Sequence, residues 1–203
     1  MTTLAIFAKA PEAGRVKTRL AAEIGDAAAL AVYHQLLQHT AGVATRWPEP
    51  VRVFATGSPT IFDTCPLAGF RRDEQVAGDL GRRLRHGLRR CLEEDERVIA
   101  IGTDSFTATA ENLLSCARLL DGHQALIAPV SDGGYWALGL ASRRACDCCC
   151  ASDLPWSQAD LQRATAERCR AHGIALAHGP PGDDLDTLAD LQRARALGFG
   201  EPV

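Results

Sequence analysis

Leu4-Ala5-Ile6-Phe7-Ala8-Lys9-Ala10-Pro11-Glu12-Ala13-Gly14-Arg15-Val16-Lys17-Thr18-Arg19-Leu20 reads as an apolar strand that leaves through a Pro- and Gly-punctuated loop and runs into a helix. The loop carries four basic side chains. It also holds the only two lysines of the chain, Lys9 and Lys17, against twenty arginines. Backbone N–H groups approach closely at Gly14, a helix start favours an anion, and lysine supplies a compact point charge. A phosphate-binding loop at the end of a first strand is the expectation. The loop is not a Walker A motif, because Val16 rather than Gly precedes Lys17-Thr18. GxGxxG is absent after the strand, so a dinucleotide-binding reading is weak.

Beyond this loop, apolar strands alternate with amphipathic helical stretches. That is the pattern of an α/β layered domain with a largely parallel sheet. The first strand is expected near Thr3–Ala8 and a long helix over Asp26–Thr45, with Leu30, Tyr33, Leu36 and Leu37 on one face. Trp47-Pro48-Glu49-Pro50 stops that helix. Strands are expected at Val51–Ala55 and, more briefly, Phe70–Gln75. Gly78-Asp79-Leu80-Gly81 opens a helix to about Glu94. Leu80, Leu84, Leu88, Cys91 and Leu92 are its apolar face, and Arg82, Arg83, Arg85, Arg89 and Arg90 read as its solvated one. Arg97–Ile101 is a short buried strand, followed by a helix at about Thr109–Leu120. Ala125–Pro129 and Tyr135–Leu140 flank Ser131-Asp132-Gly133-Gly134, a hairpin signal that makes the sheet mixed. A helix over Gln158–His172, a strand at Ile174–His178 and a helix at Leu188–Leu197 complete the reading.

Composition sets outer limits. At 203 residues the chain is most simply one domain over 1–203. A net charge of −3 gives no general basic field for nucleic acid or an anionic membrane. No apolar run reaches the ~18 residues of a membrane span, and the first residues lack the pattern of a signal peptide. A cytoplasmic protein is expected. Of eight cysteines, four crowd into Cys146-Asp147-Cys148-Cys149-Cys150. Without a second pair at zinc-finger spacing, this cluster reads as a tolerated surface loop rather than as a disulfide framework or a soft-metal site.

Three acidic groups fall where strands end or helices begin: Asp104, Asp132, and Asp183 with Asp184 and Asp186. In open α/β sheets ligands gather at the carboxyl ends of strands. Asp184 and Asp186 are two apart, so in extended backbone their side chains face one way. Paired carboxylates near a third suit Mg²⁺ or Mn²⁺ bridging phosphate oxygens. The other reading makes Asp186 a simple cap on the last helix.

The order Phe7-x-Lys9-x-Pro11-x-x-Gly14-x-x-Lys17-Thr18-Arg19-Leu20, Gln75-x-x-Gly78-Asp79-Leu80-Gly81, Gly102-Thr103-Asp104-Ser105, Asp132-Gly133-Gly134-Tyr135, Pro155-Trp156-Ser157 and Asp184-Leu185-Asp186-Thr187 resembles a bacterial family. Its members are the selenodomain-associated transferases, glycosyltransferase-like proteins proposed for arsenosugar biosynthesis. The resemblance covers nearly the whole chain. It implies a GT-A (nucleotide-diphospho-sugar transferase) fold, a three-layer sandwich related to phospholactate guanylyltransferase and molybdenum-cofactor guanylyltransferase. It implies that Lys9, Gly14, Lys17 and Arg19 meet nucleotide phosphates and that Gly78 and Asp79 lie near the base or ribose. Asp104, Asp184 and Asp186 would hold Mg²⁺ or Mn²⁺. Asp132, Gly133, Gly134 and Tyr135 would form the acceptor side, with Asp104, Asp132 and Lys17 as the catalytic set. Phe106 stands where the family is expected to have proline, which marks a departure beside the metal position.

The implied activity is metal-dependent transfer from a nucleotide-activated donor. Glycosyl transfer from an NDP-sugar to a small-molecule acceptor leads. Nucleotidyl transfer from an NTP to a phosphorylated small molecule follows, and a non-catalytic nucleotide-binding module is the alternative from another class. The residues do not name the donor base, the sugar, the acceptor or the oligomeric state.

Overall fold

The computed structural model describes residues 1–200. Its elements, in chain order, are β1 (Thr2–Lys9), α1 (Thr18–Ile24), α2 (Asp26–Thr45), β2 (Val51–Thr56), α3 (Pro59–Phe62), β3 (Arg71–Glu74), α4 (Leu80–Glu94), β4 (Arg97–Ile101), α5 (Ala110–Leu119), β5 (Ala125–Pro129), β6 (Tyr135–Leu140), α6 (Arg143–Cys149), α7 (Leu161–Ala171), β7 (Leu176–His178) and α8 (Leu188–Ala196). The strands form one sheet in the order β3-β2-β1-β4-β6-β5-β7. All neighbours are parallel except β6, which runs antiparallel to both β4 and β5.

Strand alternation explains the two layers of helices. Leu4, Ile6, Val53, Ile99, Ile101 and Leu126 point to one face, where they are buried with Tyr33, Leu36 and Leu37 of α2 and Leu113 and Cys116 of α5. Ala5, Phe54, Val98, Ala100, Ile127 and Leu138 point to the other, against Leu84, Leu88 and Cys91 of α4 and the cysteines of α6. The strands are apolar on both sides because both faces are covered.

From β1 the chain winds outward to β2 and β3, then returns to place β4 on the opposite side of β1. The carboxyl ends of β1 and β4 therefore diverge into a crevice at the point where the strand order reverses. The antiparallel β6 brings its first residues, Tyr135 and Trp136, to the same rim.

The Cys146–Cys150 segment is not a surface loop. It lies in and just after α6, which Ser142 caps through the Ala145 N–H, and all four cysteines are buried. Cys146, Cys149 and Cys150 recur at i, i+3 and i+4, an apolar helical stripe once cysteine is counted as a small hydrophobe.

The edge strand β3 is four charged residues, Arg71–Glu74, with little apolar surface to hold it. Its anchor is ionic. Arg52 on β2, only 3% exposed, meets the Asp73 carboxylate at 2.5 Å and Glu94 of α4 at 3.0 Å. Removing Asp73 leaves this guanidinium short of a partner in a buried place, so Asp73→Ala should cost roughly 3 kcal/mol. Asp63→Ala, whose partner Arg72 lies nearer the surface, should cost under about 1 kcal/mol. Urea denaturation of the two variants checks the difference.

Candidate active site

A cavity of about 490 Å³ opens at the crevice between β1 and β4. Lys9, Lys17, Arg19, Asp104, Tyr135, Asp184 and Asp186, all expected from the sequence, line it. At its centre lies Lys17. The side chain is 3% exposed, and its ammonium contacts Asp104 Oδ1 at 2.6 Å and Asp186 Oδ1 at 3.1 Å. It also donates to the Leu185 carbonyl. Burial alone would push this amine down, but Asp104 and Asp186 outweigh it and hold Lys17 above its ordinary 10.5. Lys17 reaches this place from a left-handed backbone, φ 48° and ψ 44°, immediately before α1.

Two segments far apart in sequence are stitched together to present the acids. Ser105 and Asp184 form an antiparallel bridge. The Phe106 N–H donates to the Asp183 carbonyl, the Leu185 N–H to the Asp104 carbonyl, and the Asp183 N–H to Thr107 Oγ1. The Phe106 ring turns away from the cavity into the core, 5.9 Å from that of Phe199. The departure at Phe106 is thus a packing residue, and its backbone serves the bridge as any residue's would.

Asp186 does not cap the last helix. Thr187 does, in a reciprocal capping box with Asp190, which leaves the Asp186 carboxylate free for Lys17. Asp183 turns away to Arg193. Asp184 Oδ1 is buried without a hydrogen-bond partner. Burial pushes the Asp184 carboxyl up to about 7, helped by Asp104, Asp186 and Asp132 and opposed by Lys17. The unpartnered Asp184 oxygen shares the crevice with Asp104 and Asp186, so these three carboxylates are the candidates to hold a hard divalent cation such as Mg²⁺ or Mn²⁺, although their oxygens do not all converge within 4.8 Å of one another. The set is looser than a closed metal cage, because Lys17 lies between Asp104 and Asp186.

Other expected residues stand off the cavity. Asp132 accepts the Gly134 N–H at 2.9 Å and closes its own turn. Gly133 has φ +89°, and a Cβ there would lie 1.8 Å from the Ala159 carbonyl oxygen. Its glycine is needed to dock this turn under the start of α7. Asp79 caps α4 through the Arg82 N–H. Gly14 and Gly78 take up positive φ in the turns beside the crevice.

Some cavity residues escaped the sequence reading. Arg83 was assigned to a solvated face, yet it lines the cavity with Gln75, and its Nη1 donates to Gln75 Oε1 at 3.4 Å. Gln75 itself is held by the carbonyls of Ala8 and Phe54. Tyr33 of α2 was read as core. Its hydroxyl accepts from the Lys9 N–H, donates to the Lys9 carbonyl and meets Thr103 Oγ1. Burial pushes it up to about 12, so it remains a neutral strut for the end of β1. Trp156 and Ser157 form the far wall. Ser157, at φ 62°, and Lys17 are the only non-glycine residues with positive φ among the described residues, and both line the cavity. Such backbone strain gathers at ligand sites.

Residues 37–158 match the model of a family described as an uncharacterized protein conserved in bacteria (DUF2064). The chain belongs to that family. The match takes in Gln75, Arg83, Asp104, Tyr135 and Trp156 of this DUF2064 protein, and no curated protein matches it. Among solved structures it is similar to a protein of Desulfovibrio desulfuricans G20 described as a "putative nucleotide-diphospho-sugar transferase", with 23% identity, 98% of this chain and 88% of that one covered, and a TM-score of 0.87. It is also similar to a CMP:2-keto-3-deoxy-manno-octonic acid synthetase complexed with CTP (14% identity, 99% of each chain, TM-score 0.61). A third is the 4-diphosphocytidyl-2C-methyl-D-erythritol synthase of Anaerococcus prevotii DSM 20548 (12% identity, 97% of this chain and 98% of that one, TM-score 0.61). At these identities the likeness is one of fold, and the fold of this DUF2064 protein is that of the nucleotide-diphospho-sugar transferases.

The Asp184 carboxyl gives a pH test. Its folded value of about 7 lies above the ordinary 3.8. The protonated form therefore adds stability that is complete below about pH 4 and is lost as pH rises through 7. Asp184→Asn, neutral throughout, should gain on the wild type between pH 5 and pH 8 by up to about 3 kcal/mol. Thermal unfolding without added metal at the two pH values measures it. A gap independent of pH would overturn the assignment.

Proposed function

We propose that this protein is a metal-dependent transferase using a nucleotide-activated donor, with glycosyl transfer from an NDP-sugar to a small-molecule acceptor as the leading reaction. The observation that carries this reading is the pairing, in one crevice, of an Asp104–Lys17–Asp186 cluster and the unpartnered Asp184 oxygen with the further cations Lys9, Arg19 and Arg83. A diphosphate needs both kinds of partner. Side-chain cations would take its oxygens directly, and carboxylates would hold a metal that offsets the remaining charge.

Asp104, Asp184 and Asp186 are the residues that would hold Mg²⁺ or Mn²⁺. When bound, the metal supplies Lewis-acid stabilisation of charge on the departing phosphate. The rest of the work falls to the chain. Lys17 neutralises Asp104 and Asp186 in the absence of ligand and keeps three carboxylates from repelling one another. Its three N–H donors are taken by Asp104, Asp186 and the Leu185 carbonyl, so a donor for phosphate would come free only as a carboxylate turns to the metal. Lys9 is presented from a strand end whose N–H and carbonyl are both held by Tyr33. Arg83, steadied by Gln75, adds a planar donor on the opposite wall. Trp156, Tyr135 and Leu161 close the far side with apolar surface, which would exclude water from the reacting bond. The chemistry asked of the protein is positioning and charge stabilisation.

The likeness to the Desulfovibrio protein over 98% of the chain supports NDP-sugars as donors. Nucleotidyl transfer from an NTP is the second reading. It is supported by the synthetases of the same fold, one of which was solved with CTP, and by the basic loop after β1.

A thermal-shift panel of NDP-sugars, NDPs and NTPs, each with Mg²⁺, Mn²⁺ or EDTA, tests the proposal. An NDP-sugar should raise Tm only with metal, and Asp104→Asn should abolish that rise while leaving the unliganded Tm within a few degrees. Stabilisation by NTPs alone would replace glycosyl with nucleotidyl transfer. No metal-dependent response to any nucleotide would overturn both. Arg83→Ala should weaken the binding nucleotide by about tenfold, or ~1.4 kcal/mol, without lowering the unliganded Tm.

A further inference from the structure

The buried thiols of α6 and α7 take no part in the site above. Cys148 and Cys149 on α6 and Cys169 on α7 place their three sulfurs within 4.8 Å of one another. The Cys149 and Cys169 sulfurs are 3.5 Å apart, and all three residues are free thiols. Among the described residues no other three-residue group of histidine, cysteine or carboxylate ligands comes this close. Three sulfurs bound to one ion at about 2.3 Å lie about 3.8–4.0 Å from each other. The thiols thus stand close to the spacing that one soft cation imposes. Cys148 and Cys149 are neighbours in sequence and cannot close a tetrahedron by themselves, but the third sulfur comes from a different helix and converges on theirs.

We propose that Cys148, Cys149 and Cys169 form a binding site for one thiophilic d¹⁰ cation, Zn²⁺ or Cu⁺, that ties α6 to α7. Thiolate ligands select these ions over the hard cations suited to the carboxylate crevice. The three sulfurs belong to a buried, largely apolar cluster that also holds Ala145, Ile174 and Leu140, so a bound ion there would be shielded from exchange with water. Cys148 is the least buried of the three, at 7% exposure. Binding forms three metal–sulfur bonds and releases the thiol protons to solvent, with no change of oxidation state. The consequence for the cleft is direct. Tyr135 and Trp156, which line the cavity, pack against the same buried cluster, so an ion joining α6 and α7 stiffens the back of the apolar wall.

The experiment uses the reduced full-length protein, freed of metal and titrated with Zn²⁺ against a chromophoric chelator, and with Cu⁺ against a copper-selective one. One equivalent of at least one ion should bind and raise Tm. Co²⁺ in place of Zn²⁺ should give a thiolate-to-cobalt charge-transfer band. Cys148→Ser, Cys149→Ser and Cys169→Ser should each weaken binding by at least the roughly 100-fold that loss of an outer partner can already cost. Cys116→Ala, on the opposite face of the sheet, and Asp104→Asn, in the crevice, should leave it unchanged. If a cysteine variant folds poorly, the cobalt band of the wild type still decides whether sulfur binds the ion. The proposal is overturned if neither ion binds stoichiometrically. It is equally overturned if Asp104→Asn abolishes the binding, or if the only chemistry found is a Cys149–Cys169 disulfide.

Discussion

The candidate site depends on one buried ammonium. Without Lys17, Asp104 and Asp186 would face one another and the half-buried Asp184 with only the exposed Arg19, 3.9 Å from Asp186, to offset their charge. With it, two loops carrying acids can close on the loop that follows β1. The left-handed turn at Lys17 is part of the same arrangement. A right-handed residue there would continue α1 one position earlier and aim the side chain elsewhere. The polar centre and the local backbone are therefore one constraint seen at two scales, and the conformational cost at Lys17 is met by three oxygen contacts.

Much of this was legible in the sequence, and the reasons are physical. Strands buried on both faces give unbroken apolar runs, so Arg97–Ile101 and Ala125–Pro129 are found to the residue. The long helix Asp26–Thr45 is delimited by Gly25 on one side and Trp47-Pro48 on the other. The Asp-Gly-Gly turn identified the antiparallel pair. Asp104, Asp184 and Asp186 were visible because acids at the carboxyl ends of strands have few structural duties. The family resemblance added assignments for the loop glycines, Asp79 and Asp132, and the structure gives three of these a local duty as well: a helix cap at Asp79, a closed turn at Asp132, a tight docking contact at Gly133.

What escaped was whatever depends on the third dimension. Arg83 is one of five arginines on α4, and nothing local distinguishes the one that tilts into the crevice. Tyr33 reads as a core aromatic because its ring is core, while its hydroxyl reaches the end of β1. The cysteine run was misread because four thiols in five residues suggest chemistry or disorder before they suggest packing. Their helical spacing was the available signal. That the sulfurs of Cys148, Cys149 and Cys169 converge was beyond any local pattern, since Cys169 belongs to the next helix.

Two of the three oxygens that hold Lys17 lie 168 and 169 positions further along the chain. During synthesis the basic loop emerges early, with β1 and β2 able to pair behind it, while Leu185 and Asp186 are still unmade. Through most of translation Lys17 has no carboxylate from the last segment to meet, and the bridge between Ser105 and Asp184 has no second strand. The crevice is consequently a late product of folding, governed by its longest-range contacts. A nascent chain arrested before residue 183 can build much of the sheet and still lack the centre on which nucleotide recognition would depend.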